Sequence, residues 1–312
     1  MVAAPILSIR DLAARVGTPI ERMTEIADDI DSHYRPTALY DEKRGRSRML
    51  NVPRKELKAL QQRIHRVILD PIELSACVHG AVSGRSPRTN AEQHLGKPCV
   101  ICVDVKSFFD SVRHYVVYRM FRNDLGFGRD VARLLTRLTT YDSQLPQGAP
   151  TSPAIANLVL AFQVDKPLEA AAASLDLTYT RFVDDIAISG GDPRPLINVA
   201  AKLLSARRLK VHRATGRGRL KPKLKIMSGG VQQKITGLVV NSASAPTIPR
   251  RYRDQVRAAI HQLREMQSGA SFNRSVDSIR GRIAHVRRLH PSGAARLAGE
   301  LARVIENRRE CG

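Results

Sequence analysis

The stretch Tyr179-Thr-Arg-Phe-Val-Asp-Asp-Ile-Ala-Ile-Ser189 sets two adjacent aspartates between two short runs rich in aromatic and β-branched residues. Runs of that length and composition read as strands, and the acidic pair between them reads as the turn of a hairpin. A tight turn at Asp184 and Asp185 projects their carboxylate oxygens from its tip.

A third carboxylate belongs with them. Asp104 ends or interrupts the apolar run Val100-Ile-Cys-Val103, where an aspartate facing a core is costly without a counter-ion. Hard divalent cations take carboxylate oxygens, so Asp104, Asp184 and Asp185 form a candidate magnesium cradle. An isolated Asp-Asp is also common in ordinary turns, and other segments must decide between the two readings.

Charge narrows the partners. Lys and Arg number 51 against 29 Asp and Glu in 312 residues, a formal net charge of +22. That excess points to a polyanion, although a basic scaffold protein has the same balance. With 43% hydrophobic residues the chain can bury one large core or two smaller ones. No run approaches the roughly 20 apolar residues of a membrane span. The opening Met1–Leu7 meets Arg10 and Asp11 too soon for a secretory segment, so a cytoplasmic location is expected. Cys77, Cys99, Cys102 and Cys311 do not form a disulfide framework. Cys99 and Cys102 have a zinc-like spacer, but a continuous strand points them to opposite faces, so they are expected to be small core residues.

Periodicity places the remaining elements. A helical start within 8–30 carries Leu12, Val16 and Ile20, interrupted at Gly17 and Pro19. A basic β-hairpin is expected around Gly45, followed between Pro53 and Pro71 by a helix with Leu57, Leu60, Ile64, Val67 and Ile68 on one face. Residues 79–98 read as an irregular binding surface. Helices are expected at Val131–Leu138 and from Pro153 toward Leu168, strands at 178–189 and 234–240, and helices again after 250. The Arg/Lys/Gly tract from Arg207 to Lys225 approaches low complexity. The order is mixed α and β followed by a basic helical tail.

Three blocks in this order, Val103-Asp-Val-Lys-Ser-Phe-Phe-Asp110, Leu145-Pro-Gln-Gly-Ala-Pro-Thr-Ser-Pro153 and Tyr179-Thr-Arg-Phe-Val-Asp-Asp185, resemble the core blocks of reverse transcriptases. Asn90-Ala-Glu-Gln-His94 and Ile235-Thr-Gly-Leu-Val-Val-Asn241 resemble the two extra blocks of bacterial retron enzymes, Asn-Ala-x-x-His and Val-Thr-Gly. The chain departs from the usual pattern in Phe-Val-Asp-Asp for Tyr-Ala-Asp-Asp and in Ile235 for Val, both conservative in shape.

The resemblance implies roles. Asp104, Asp184 and Asp185 are the metal-binding carboxylates, Asp185 the least direct ligand, with Val105 in the same set and two Mg2+ as the ions. Phe109 is the bulky gate beneath the incoming sugar, one of Phe108 and Phe109 being a core residue. Gln147 and Gly148 support nucleotide and template, and Lys43, Arg46 and Arg48 on the basic hairpin meet the triphosphate. Lys223 stands where the family carries a lysine that protonates departing pyrophosphate, with Lys221 and Lys225 close by. Asn90, His94, Thr236 and Gly237 are candidates for specific RNA contacts, and Arg250, Arg251, Arg253 and Arg257, continuing through Arg280, Arg282, Arg287 and Arg288, for phosphate contacts.

The implied fold is an α+β right-hand polymerase. An N-terminal helical extension covers 1–33, fingers and an antiparallel palm sheet 34–241, and a helical thumb 242–312. The implied reaction is RNA-directed DNA synthesis from deoxynucleoside triphosphates on a cognate non-coding RNA, primed from a guanosine 2′-hydroxyl. Its product is a branched RNA-linked single-stranded DNA, and the group's usual setting is anti-phage defence with an effector protein. A group II intron-like enzyme, an RNA-synthesising polymerase and a non-catalytic RNA-binding scaffold are the competing readings.

Overall fold

The apolar run before Asp104 becomes an interior strand of the main sheet. In the computed structural model, which describes residues 4–41, 45–211, 224–267 and 269–310, the strands in chain order are β1 (Tyr34–Asp41), β2 (Arg46–Pro53), β3 (Cys99–Asp104), β4 (Thr178–Phe182), β5 (Asp185–Gly190), β6 (Lys225–Ser228), β7 (Lys234–Ile235) and β8 (Leu238–Val239). β3 to β6 form an antiparallel sheet in the order β4-β5-β3-β6, while β1-β2 and β7-β8 are separate two-stranded ladders. The outer edge of β4 is covered by the segment around Val78: Arg181 N–H donates to Cys77 O (2.8 Å) and His79 N–H to Arg181 O (2.8 Å). An exposed row of unpaired backbone groups is thereby avoided.

Strand alternation gives the sheet two different faces. On the first, Ile101, Val103, Ile186 and Ile188 join a core built with helices from the N-terminal two thirds of the chain. On the second, Val100, Ala187 and Met227 join a smaller core with the helices Arg250–Gln262, Ala270–Arg287 and Pro291–Glu310. Cys99 packs against the first core and Cys102 against the second, as expected of strand neighbours three positions apart.

Most expected elements are present. The N-terminal region forms helices Ile9–Val16 and Ile20–Asp28, separated by Gly17 in the left-handed region (φ 62°) and by Pro19. The basic hairpin is β1-β2, in register from Tyr34↔Pro53 to Asp41↔Arg46. Helix Lys55–Ile64 buries Leu57, Leu60 and Ile64 and continues as a wider turn over His65–Leu69. Helix Arg129–Thr139 buries Leu134, Leu135 and Leu138. The helix expected from Pro153 runs Ser152–Leu160 and passes through a wider turn into Lys166–Ser174. No helix among the described residues is long and apolar enough to cross a membrane.

The stretch expected to be irregular, 79–98, contains a helix, Pro87–Glu92. Ser86 caps it, its side chain accepting from Thr89 N–H (3.2 Å) while Thr89 Oγ1 accepts from Ser86 N–H (2.8 Å). That reciprocal cap with Pro at the first helical position is strong enough to fix a short helix among loop-forming residues.

His94 follows this helix and is fully buried on the second face of the sheet. Its Nδ1 lies 2.6 Å from Ser189 Oγ and its Nε2 2.7 Å from Thr180 Oγ1, so the ring ties β4 to β5. Asn90 is buried as well, at 1% exposure. The RNA contacts implied for these two residues are therefore corrected: neither side chain reaches the surface. Burial pushes the His94 pKa down to about 3, so the folded chain keeps the ring neutral. In the unfolded chain it returns to roughly 6.5. The unfolded state thus holds the extra proton between those values, and stability falls as pH drops through about 6.5 toward 3. Unfolding free energies measured from pH 7 to 4.5 are expected to fall less steeply in His94→Gln than in the wild type, and an unchanged slope would contradict this assignment.

Candidate active site

The ends of β3 and β5 bring the acidic residues together. In the ladder Asp104 is the direct partner of Asp185, and Val105 N–H donates to Asp184 O (3.3 Å). Val105 and Asp184 therefore occupy a hydrogen-bonded position, which makes Asp104 and Asp185 a non-hydrogen-bonded pair, the closer type, with Cα atoms about 4.5 Å apart. Both side chains lie on the second face, in line with Cys102 and Ala187. Asp104 is half-buried and Asp185 exposed.

The reversal itself is tighter than expected. Phe182 pairs with Asp185, leaving only Val183 and Asp184 as the loop, so the turn sits one residue earlier than the acidic pair and Asp185 already belongs to β5. Positive φ at the first loop residue is what a two-residue hairpin turn of the primed kind requires. Val183 meets that requirement at φ 58°, a left-handed conformation that a β-branched residue adopts only under constraint.

Like charges directly opposite each other weaken a ladder, and a divalent cation beside them reverses the sign of that interaction. Among the described residues, no group of three or more His, Cys, Asp or Glu is placed so that it could hold a metal ion. The facing pair Asp104 and Asp185, with Asp184 next in the chain, would suit a hard ion held by one or two carboxylates and completed by water and substrate phosphate. Val105 contributes its backbone to the same ladder step. Lys225, the first residue of β6, stands opposite Cys102 and so shares the carboxylate face. Burial raises the Cys102 thiol to about 12, Lys225 lowering it and Asp185 raising it, consistent with both charges lying near that sulfur.

A cavity of about 470 Å³ brings together Phe109, Gln147 and Gly148, with Lys58, Gln62 and Pro150 among its other walls. Phe108 is the core residue of the aromatic pair, at 3% exposure, whereas Phe109 is half-buried. Gln147 donates from Nε2 to Asp110 Oδ1 (3.0 Å), and Gln147 O accepts from Asn51 N–H (2.9 Å), so the loop is tied both to the Phe108–Ser111 helix and to the base of the hairpin. Lys58 and Gln62 were not singled out by sequence reasoning. Their signal is an i, i+4 spacing on the polar side of the helix whose apolar side was read correctly. None of the three aspartates lines this cavity, and none lines a larger cleft of about 800 Å³ bordered by Asp28, His114, Arg137 and Tyr141.

The other implied residues divide. Lys43, Lys221 and Lys223 lie outside the described residues, and Arg46 and Arg48 are placed on β2 by their backbone. Thr236 (φ 47°) and exposed Gly237 make the turn between β7 and β8, and Thr236 Oγ1 donates to Pro87 O (2.8 Å), tying that turn to the start of the helix Pro87–Glu92, which carries Asn90. Arg250 and Arg251 are exposed at the start of their helix. Arg253 is half-buried, its Nη1 3.1 Å from His290 Nε2.

Comparison with known proteins follows the same lines. Residues 40–212 match the family Reverse transcriptase (RNA-dependent DNA polymerase). The Retron Mx65 reverse transcriptase of Myxococcus xanthus is 33% identical over 81% of this chain and 61% of its own length, and the Retron Mx162 reverse transcriptase of the same organism 32% identical over 81% and 58%. The Retron Ec86 reverse transcriptase of Escherichia coli is 29% identical over 87% of this chain and 85% of its own. The chain belongs to the reverse transcriptase family, in its retron-type branch. It spans about three fifths of the length of the two Myxococcus relatives.

Gly148 gives a test of the cavity's wall. Its φ is 115°, and a Cβ there would lie 3.3 Å from Asn51 O. Gly148→Ala is expected to lower the unfolding free energy by about 1–3 kcal/mol, the usual cost of such backbone strain. Urea denaturation showing no change would contradict the conformation described.

Proposed function

We propose that this chain is an RNA-directed DNA polymerase of a retron, acting with Mg2+ on deoxynucleoside triphosphates. The single observation that carries the reading is the register that sets Asp104 opposite Asp185 at the open end of the sheet. Membership of the family, a net charge of +22 and relatives named as retron reverse transcriptases support it. In this reading β3 to β6 are the palm, the β1-β2 hairpin and helix Lys55–Ile64 belong to the fingers, and the three C-terminal helices are the thumb.

The carboxylates would hold divalent ions, which lower the pKa of the attacking hydroxyl and balance charge on the leaving pyrophosphate. The chain's own residues do the rest. Phe109 closes the floor of the cavity against a ribose 2′-hydroxyl, Gln147 and the glycine loop seat base and sugar, and exposed arginines such as Arg250 and Arg251 hold phosphates of the duplex. The template would be a cognate structured non-coding RNA and the product a branched RNA-linked single-stranded DNA, in an anti-phage system with an effector partner. These last assignments are what the resemblance to retron enzymes implies.

Primer extension on an RNA template is expected to show DNA synthesis by the wild type and a loss of at least about 100-fold in Asp104→Asn and Asp184→Asn, the several kcal/mol that metal charge supplies. Synthesis persisting in either variant would refute the carboxylate assignment. Phe109→Ala is expected to raise ribonucleotide incorporation relative to deoxyribonucleotide, and an unchanged sugar preference would remove the gate.

A further inference from the structure

Beneath the Val183–Asp184 turn, on the first face of the sheet, lies a charged side chain that the reaction itself does not use. Arg181 is 0% exposed, and each of its five N–H donors has an acceptor. Nε donates to Asp165 Oδ1 (2.8 Å) and Nη2 to Asp165 Oδ2 (2.6 Å), a two-point pairing with a carboxylate that is itself buried. Nη2 also meets Asn157 O (3.4 Å), and Nη1 donates to Asn157 Oδ1 (2.8 Å). The remaining bond runs from Nη1 to the carbonyl oxygen of Val183, at 2.7 Å.

That last bond distinguishes the network from an ordinary buried ion pair. Asp165 alone, with Tyr179 Oη donating to its Oδ1 (2.6 Å), would account for a neutralised charge in the core. It would not require the guanidinium to reach two residues along its own strand to the one loop residue with positive φ. The same residue is held from a second side. Gly80 lies so close that a Cβ built on it would stand 2.4 Å from Val183 N and 2.7 Å from Val183 Cγ2, and Asn157, Arg181's partner, donates from Nδ2 to Gly80 O (2.7 Å). One connected set of groups thus fixes both sides of the Val183 peptide. Strained turns persist only where their surroundings over-determine them.

We propose that Arg181 is a positioning residue that holds the Val183–Asp184 turn so that Asp184 and Asp185 present their carboxylates to the cation beside Asp104. This deepens the polymerase reading and rests on it for the ion's role. A planar fork with five fixed donors is needed to span Asp165, Asn157 and Val183 at once; a lysine has three donors on a flexible stem and cannot reproduce that geometry.

The test compares wild type, Arg181→Lys and Gly80→Ala, the last keeping every charged partner while pressing on Val183 N. Mn2+ binding to the chain alone, followed by electron paramagnetic resonance, is measured beside the Mg2+ dependence of primer extension, with circular dichroism and RNA binding giving the folded fraction. In folded protein, both variants are expected to weaken Mn2+ binding and raise the half-saturating Mg2+ by about fivefold or more. Turnover is expected to fall roughly 10- to 100-fold, the scale of a small misplacement of reacting groups, with nucleotide KM changed less than twofold. A merely structural role would lower the folded fraction and leave metal affinity per folded molecule unchanged, and that result overturns the proposal. If Arg181→Lys does not fold, Gly80→Ala decides alone by the same criterion. A wild type that binds Mn2+ but makes no DNA would instead defeat the polymerase reading, while the Mn2+ comparison still judges the role of Arg181.

Discussion

The register between β3 and β5 is the constraint on which the site depends. A strand's side chains alternate, so a slip of one residue would carry Asp185 to the face that holds Ile186 and Ile188 and bury a carboxylate in the larger core. The apolar residues before Asp104 and after Asp185 fix the pairing because both sheet faces are covered, one by each core. Packing energy distributed over the whole sheet is thereby converted into the placement of two charged groups at its end.

β4 is secured from both sides by polar groups rather than by apolar contact alone. On one face the neutral ring of His94 bridges Thr180 and Ser189, and on the other Arg181 is neutralised by Asp165. Burial works against the Arg181 charge, yet the adjacent carboxylate carries its pKa above the ordinary arginine value. Such groups contribute little net stability against a well-packed apolar alternative, and removing one partner is costly, about 3–5 kcal/mol for a buried ion pair. Their use here is directional. Hydrogen bonds specify where the strand and its turn lie in a way that Val and Ile contacts do not.

The sequence made some of this legible and hid the rest for identifiable reasons. Asp104 and the Asp184-Asp185 pair stood out because each breaks an apolar run, and the hairpin, helix Lys55–Ile64 and the C-terminal helices followed from spacing. His94 was readable as a motif residue but not as a buried bridge, since its partners Thr180 and Ser189 are remote in sequence. Arg181 looked like one more cation in a basic chain, and only its five acceptors mark it as interior. The turn was misplaced by one residue because Val183 takes a backbone conformation that propensity assigns to Gly or Asn. β6 follows the low-complexity tract and is too short to carry a pattern of its own.

The central claim is that Asp104 and the Asp184-Asp185 segment lie together at one site for divalent cations. Replacing Mg2+ by Fe2+ and generating hydroxyl radicals with ascorbate and peroxide cuts the backbone next to the bound ion, and the cut positions can be read by mass spectrometry. Two sets of cuts are expected, around residues 103–105 and around 183–185, both suppressed by excess Mg2+. Cutting at only one of these segments, or at neither, would contradict a shared site.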